Sequence, residues 1–428
     1  MRIARDGGAA RVYRLPGLDA LEWKAEGRMP PLDSLVGTSD DLALVFFRDR
    51  RGNLAAIDLE GRRVRTYAGG VSAAAVGADG ALYAVDTAGV AMNFSRRTPE
   101  RFRSRFPRVP ERLFAALGGG VIGLNTTAGR LSVLGPRDTL RGYAVAAGPM
   151  TVTSWGDLVA VAADSALVVY DPAGRAEPRS VRFRAGAQAV AFSPSGHQIY
   201  VGQGDGVLAV MDRFGLEVLR RIELPGVARD VRAGPMGRWL LARPMTNDSI
   251  WIIDLETSTV RAAGGTWSDD LPTVGVPDFL VSREGDDVVA RDLSSEALAE
   301  HGRVAGGARD AWAVVRWPRP EATDGDGSAA SLDVLPGDSS AATAAADSAG
   351  GRERLFLQVS SSRNPDWARE LSAKLVEAGL PSSVLPPQRE GEAYRVVLGP
   401  YASREEAERS GRSLGMPYFV IGADSVAR

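Results

Sequence analysis

Short apolar runs, each closed by an aspartate or another turn former and followed by a polar turn, recur along the first three quarters of the chain. They read Leu54-Ala-Ala-Ile-Asp58, Val90-Ala-Met-Asn93, Leu131-Ser-Val-Leu-Gly135, Leu167-Val-Val-Tyr-Asp171, Leu208-Ala-Val-Met-Asp212, Ile250-Trp-Ile-Ile-Asp254 and Val288-Val-Ala-Arg-Asp292. Differences between successive closing residues are 35, 42, 36, 41, 42 and 38. A repeat of roughly forty residues, built from short strands and turns, predicts one four-stranded propeller blade per unit.

The unit from Ala185 to Pro225 shows the pattern most fully. Gln188-Ala-Val-Ala-Phe192 reads as an inner strand and Ser193-Pro-Ser-Gly196 as a turn. Gln198-Ile-Tyr-Val-Gly202 is a second strand, and Val207-Leu-Ala-Val-Met211 a third after the Gly204-Asp-Gly206 hairpin. Glycine, proline, serine and aspartate suit those turns because they reach positive φ, fix φ, or bond their own downstream amides. The expected domain is an all-β propeller over residues 1–320 with seven blades. An eighth arises if Arg11-Val-Tyr-Arg-Leu15 and Ala20-Leu-Glu-Trp-Lys24 pair with Ala311–Trp317 to close the ring.

Between Glu321 and Gly351 the pattern stops. These 31 residues hold nine alanines, five serines, five glycines and six acids, with no aromatic or basic side chain. Such a segment buries too little to offset its ordering entropy and predicts a flexible linker, with a reach of roughly 30 Å.

From residue 352 to 428 the order becomes β-α-β-β-α-β. Leu355–Val359 reads as a strand, and Asn364-Pro365 as a helix cap with proline at the first helical position. Trp367, Leu371, Leu375 and Ala378 follow at helical spacing, and Gly379 stops the helix. Ser382–Leu385 and Ala393–Leu398 are the next strands. Ser403-Arg-Glu-Glu406 is a capping box, and Tyr418–Ile421 the last strand.

This segment resembles the SPOR domain. Its third strand, Tyr394-Arg-Val-Val-Leu-Gly-Pro-Tyr401, follows the family pattern Tyr/Trp-Arg-Val-x-x-Gly-Pro-Phe/Tyr, and Ser403-Arg-Glu-Glu-Ala407 opens the second helix as the family does. The first strand departs, with Ser360 where glycine is usual and Ser362 where an aromatic is usual. The resemblance implies binding of peptidoglycan, preferentially of glycan strands stripped of stem peptides, and a periplasmic or cell-envelope, septal location. Strand alternation puts Gln358 and Arg395 on the sheet face away from the helices, while Ser361 and Tyr394 sit at strand ends where the family places binding or supporting residues. Those four are the candidate glycan site. The earlier repeats resemble WD-repeat and YVTN-type propellers, without the Trp-Asp signature.

Composition narrows the chemistry. The chain of 428 residues has 51 basic and 53 acidic side chains with no basic tract, so nucleic acid is not an expected partner. A β-α-β-β-α-β order also occurs in RNA-binding modules, but the aromatic motif they need on the third strand is absent. No cysteine occurs, and the two histidines, His197 and His301, lie about a hundred residues apart. Neither metal nor cofactor is expected, and no catalytic residue is named. The recurrent aspartates read as turn formers, and Trp155, Trp239, Trp251, Trp267 and Trp312 as core.

No apolar run approaches a membrane span. The opening Met1-Arg-Ile-Ala-Arg-Asp-Gly-Gly-Ala-Ala has no apolar signal core, so an exported location expects a mature or truncated chain, or an earlier start. Two functions stay open. One is a non-catalytic wall binder whose propeller presents a surface to an unidentified protein. The other is a propeller enzyme acting on wall material and localised by the C-terminal domain.

Overall fold

Apolar residues on both faces of a strand bury it between layers, and the computed structural model uses the repeats in that way. Seven four-stranded antiparallel blades span residues 32–68, 71–105, 112–144, 150–182, 187–223, 228–263 and 273–304, each meandering from an inner first strand to an outer fourth. The repeated apolar run is the third strand of every blade. The structure describes residues 1–39, 43–77, 80–94, 99–163, 165–275 and 278–315. Further on it describes 355–362, 365–377, 380–386, 394–401, 403, 406–407, 410 and 419–422. Two compact units result, Met1–Arg316 and Trp317–Arg428; the expected linker at 321–351 lies outside the described residues.

Each gap between consecutive blades holds its own apolar cluster. Leu44, Phe46, Leu54 and Ala56 of blade 1 meet Leu82, Ala84 and Met92 of blade 2, and similar sets continue to blade 7. Arginines cross the same gaps. Arg48 reaches the Ser72 carbonyl, Arg112 that of Met150 (3.3 Å), Arg179 that of Arg213 (2.9 Å), and Arg261 those of Leu293 and Ser295 (both 2.6 Å). A planar guanidinium bears several donors at fixed angles and can serve two carbonyls at once, which an ammonium does less well.

The blade-closing aspartates cap their own turns. Asp58 accepts from the Gly61 amide (2.7 Å), Asp171 from Ala173 (2.9 Å) and Asp212 from Phe214 (2.9 Å). Asp254 accepts from Glu256 (2.9 Å) and Asp292 from Ser294 (2.7 Å).

Ring closure differs from the expectation. Arg2–Ile3, not 11–15, pairs with Ala311–Trp312 and on its other edge with Ala10–Arg11. Tyr13–Arg14 pairs with Asp19–Ala20 in a separate ribbon. A smaller composite sheet from both chain ends thus joins the seven blades. Leu18, Leu271, Val288 and Trp312 seal it against blade 7, with Tyr13 stacked 5.5 Å from Trp312. On the other side the Gly8 amide donates to Met29 (3.2 Å) and that of Leu32 to Arg5 (3.1 Å), completing the circle to blade 1. A two-residue strand leaves no periodicity to read, so its longer, more β-rich neighbours attract the assignment.

In the C-terminal unit the sheet order is Ser382–Leu385, Tyr394–Tyr401, Leu355–Ser362, Phe419–Gly422, all antiparallel. The helix Pro365–Glu377 starts on its proline, and its end is closed by the Leu380 amide on the Leu375 carbonyl (2.9 Å). Its buried stripe is Ala368, Ser372 and Leu375; Leu371, which its spacing places on the buried face, is only half-buried. The Ser403 hydroxyl accepts from the Glu406 amide (3.2 Å), as the capping box requires. No helix among the described residues is long and apolar enough to cross a membrane.

Arg283 and Asp270 tie the composite sheet to blade 7. Their side chains are 7% and 4% exposed, and they pair in a fork, with Arg283 Nη1 3.0 Å and Nη2 2.8 Å from the two carboxylate oxygens. Arg283 also donates to the carbonyls of Ala308 and Asp310, and Asp270 accepts the Trp312 amide (2.7 Å). Removing one partner leaves a buried charge unpaired, so Asp270→Asn and Arg283→Met should each cost about 3–5 kcal/mol in urea unfolding. Losses under 1 kcal/mol would remove the pair from this role. Burial pushes the Asp270 pKa up, but Arg283, the Trp312 amide and Ser268 outweigh it and hold the group below the usual aspartate range. Its contribution is therefore complete above the unfolded value of about 4 and lost as pH falls through the lower folded one. Asp270→Asn should flatten that acid limb.

Candidate functional site

The open sheet face of the C-terminal unit takes its polar groups from two neighbouring strands. Gln358 pairs with Val397 and Ser361 with Arg395, a bulge between Gln358 and Ser360 keeping the ladder in step. Val397 and Arg395 continue in the ladder to Ser383 and Leu385. Gln358 and Arg395 are both half-buried, and Leu357, Val359, Val396 and Leu398, which alternate with them, are buried. The register thus brings 358, 361 and 395 onto adjacent rows. Tyr394 pairs with Ser362 and alternates with Arg395, at the strand's edge and out of that row. The side chain of Ser361 lies outside the described residues.

One expectation is corrected. Strand alternation puts Val397 on the same face as Arg395, yet it is fully buried. Its strand is an inner one, flanked by Gln358 on one side and Ser383 on the other, so the middle of that face is closed. The accessible polar surface contracts toward the Ser361–Arg395 row. Gly399, in the Gly-Pro of the third strand, has φ +123° and lies so close to the Leu355 carbonyl that a Cβ would meet it at 3.0 Å. Only glycine fits there, which gives that motif residue a backbone reason.

In the propeller the aromatic and ionisable groups are largely structural. Trp239, Trp251, Trp267 and Trp312 are buried and Trp155 is half-buried. His301 lies 3.6 Å from Asp292 on the outer strand of blade 7. His197 sits between blades 4 and 5 beside the Asp157–Arg213 pair, and its carbonyl accepts the Arg213 amide (3.2 Å). Burial first, and then the Arg213 charge, lower its pKa to about 4 against the opposing pull of Asp157. Among the described residues no group of three or more His, Asp or Glu side chains is placed to hold a metal ion.

Residues 351–415 match the family model described as the SPOR domain, and the C-terminal region is a SPOR domain. No curated protein matches the chain. Among solved structures, the dihydro-heme d1 dehydrogenase NirN in complex with DHE is 15% identical, with 72% of each chain covered and a TM-score of 0.50. A chain of the mitotic checkpoint complex is 13% identical, with 59% of this chain and 86% of that one covered and a TM-score of 0.44. At such identity the first likeness bears on the propeller fold alone.

The neutral His197 makes a pH-dependent contribution. Between about pH 4 and 6.5 the unfolded chain binds a proton that the folded chain does not, so stability falls as pH drops through that window. Taking the protein from pH 7 to 5 should cost about 1–2 kcal/mol more in the parent than in His197→Gln, read by urea unfolding. Equal losses would place the cost in other groups.

Proposed function

We propose that this protein is a non-catalytic cell-envelope protein that binds the glycan strands of peptidoglycan through its SPOR domain and presents the propeller to a protein partner. The SPOR match over 351–415 is the observation that carries the reading. A glycan of hydroxyls and amides is served by the Gln358 amide and the planar fork of Arg395, while Phe356 offers an apolar platform on the same strand face as Gln358. Ser361 joins them through its pairing with Arg395, and Tyr394 supports the edge. Preference for strands without stem peptides follows the family and would direct the protein to the septum, outside the inner membrane.

Co-sedimentation of the full chain with purified sacculi, before and after amidase treatment, tests the binding. Arg395→Ala should weaken sedimentation with amidase-treated sacculi about tenfold, since an unpaired buried acceptor costs roughly 1–3 kcal/mol. Leu375→Ala removes buried helix packing and should instead lower domain stability by about 2–5 kcal/mol. If Gln358→Ala and Arg395→Ala both sediment as the parent does, the site lies elsewhere on the domain.

The second function, a wall-acting propeller enzyme, is decided by its product. Sacculi incubated with the protein should release no soluble muropeptides. Release that a single Asp or Glu substitution abolishes would overturn the non-catalytic reading.

A further inference from the structure

Blade 3 departs from the rule that five of the other six repeats keep. Where five blades end the third strand with aspartate, it has Gly135, followed by Pro136. In blade 1 that aspartate also holds a cation of the fourth strand, Asp58 pairing with Arg65. Blade 3 keeps the cation, Arg141, on its fourth strand opposite Val133, but has no carboxylate to meet it. The turn's own aspartate, Asp138, is spent on blade 2, where it accepts the Arg103 amide (2.6 Å). The Arg141 side chain is exposed, lies against the Gly174 turn of blade 4, and makes no side-chain hydrogen bond or ion pair among the described residues.

Arg141 lines a cleft of about 320 Å³ between the turns of blades 3 and 4. The two first turns meet there, with the Leu117 amide on the Gly156 carbonyl (3.2 Å). Leu117, Pro136 and Pro172 make its walls apolar, and Leu117 is 57% exposed, unusual for a leucine. The other charges at the cleft are already matched: Asp171 holds Arg175 at 3.1 Å, and Asp157 holds Arg213. One unmatched positive charge therefore remains beside an apolar wall and the Thr139 side chain.

We propose that this cleft is a peptide-binding site, taking an extended segment of a protein partner that carries an acidic residue next to an aliphatic one. The carboxylate takes the place on Arg141 that the blade-closing Asp58 fills on Arg65 in blade 1, and the guanidinium can hold it by two donors. The aliphatic side chain covers Leu117 between the two prolines. A volume near 300 Å³ is at the small end of ligand sites, enough for a short anchor and not for a whole domain. The segment lies across turns at the surface, so its flanks are free to continue into the partner. The proposal rests on the reading of the propeller as a protein-binding scaffold and names the place and chemistry of that contact.

A selection from a random dodecapeptide display library on the full-length protein tests it. Enriched peptides should carry Asp or Glu beside Leu, Ile, Val or Met. Measured by fluorescence anisotropy, such a peptide should bind Arg141→Gln and Leu117→Ser at least tenfold more weakly, and its own Glu→Gln version should lose as much against the parent. A lysine in place of that acid should restore binding to Arg141→Glu. Both protein variants alter exposed side chains and should sediment with sacculi as the parent does, which reports that the chain is intact. Enriched peptides indifferent to both variants would remove this site and leave the scaffold reading standing. No enrichment at all would count against both.

Discussion

A ring of blades is held only when its first and last members are joined, and here the join is two residues long on each side. Arg2–Ile3 against Ala311–Trp312 supplies the strand pairing. So short a ladder is weak by itself, and the buried Arg283–Asp270 fork beside it provides the fixed geometry. The fork holds Ser268, Ala308, Asp310 and Trp312 at once, so it fixes the last segment of the propeller to the loop that enters blade 7. Arg2 repeats the device at the edge, on Asp310 (2.5 Å) and the Gly306 carbonyl (2.9 Å). Burying two charges is expensive, and a fully satisfied pair of this kind yields a specific arrangement more surely than it yields net stability.

The same economy runs around the ring. Small residues such as Ala56, Ala84, Ala160 and Ala209 are fully or almost fully buried in the gaps, letting blades approach closely, while arginines reach over the gaps to backbone carbonyls. The chain has only Lys24 and Lys374 as lysines among 51 basic residues, and at these gaps arginine has a geometric advantage. A lysine could supply the charge but would leave one of two carbonyls unserved. Part of the positive charge is thus internal wiring between blades.

What the sequence made legible was the local part. Third strands such as Leu54–Asp58 and Ile250–Asp254 combine apolar β-formers with an aspartate whose turn bonds lie two or three residues away, and such short-range signals survive in one dimension. The SPOR domain was legible for a similar reason: Gly399 and Ser403 are each needed at one backbone position. Non-local facts were not. Nothing in Arg2-Ile3 announces a partner some three hundred residues later, and nothing near Arg283 points to Asp270 rather than to another acid. On the helix Pro365–Glu377, spacing gave the period correctly but displaced the buried stripe toward Leu371, because small Ala368 and Ser372 pack closer than hydrophobicity suggests. At the candidate glycan site, alternation puts Val397 on the face of Arg395 but does not reveal that its strand lies inside the sheet.

Gly135 shows how an irregularity can be visible long before it has a meaning. Its place in the repeat series was plain, since it ends a third strand where aspartate is usual. What it changes depends on Arg141, six residues later and across a turn, and on the fact that Asp138 faces the neighbouring blade. Turn chemistry, ion pairing and a surface cleft are separate properties in the other blades. In blade 3 the loss of one carboxylate couples them: the turn keeps its backbone bond, the Gly135 amide on the Thr139 carbonyl (2.8 Å), Arg141 has no closing carboxylate to meet, and the apolar walls between Pro136 and Pro172 stay uncovered. A repeat protein gains a specific site most simply in this way, by omitting from one unit a group that the others satisfy internally. The scaffold loses little, because each blade is stabilised chiefly by its neighbours.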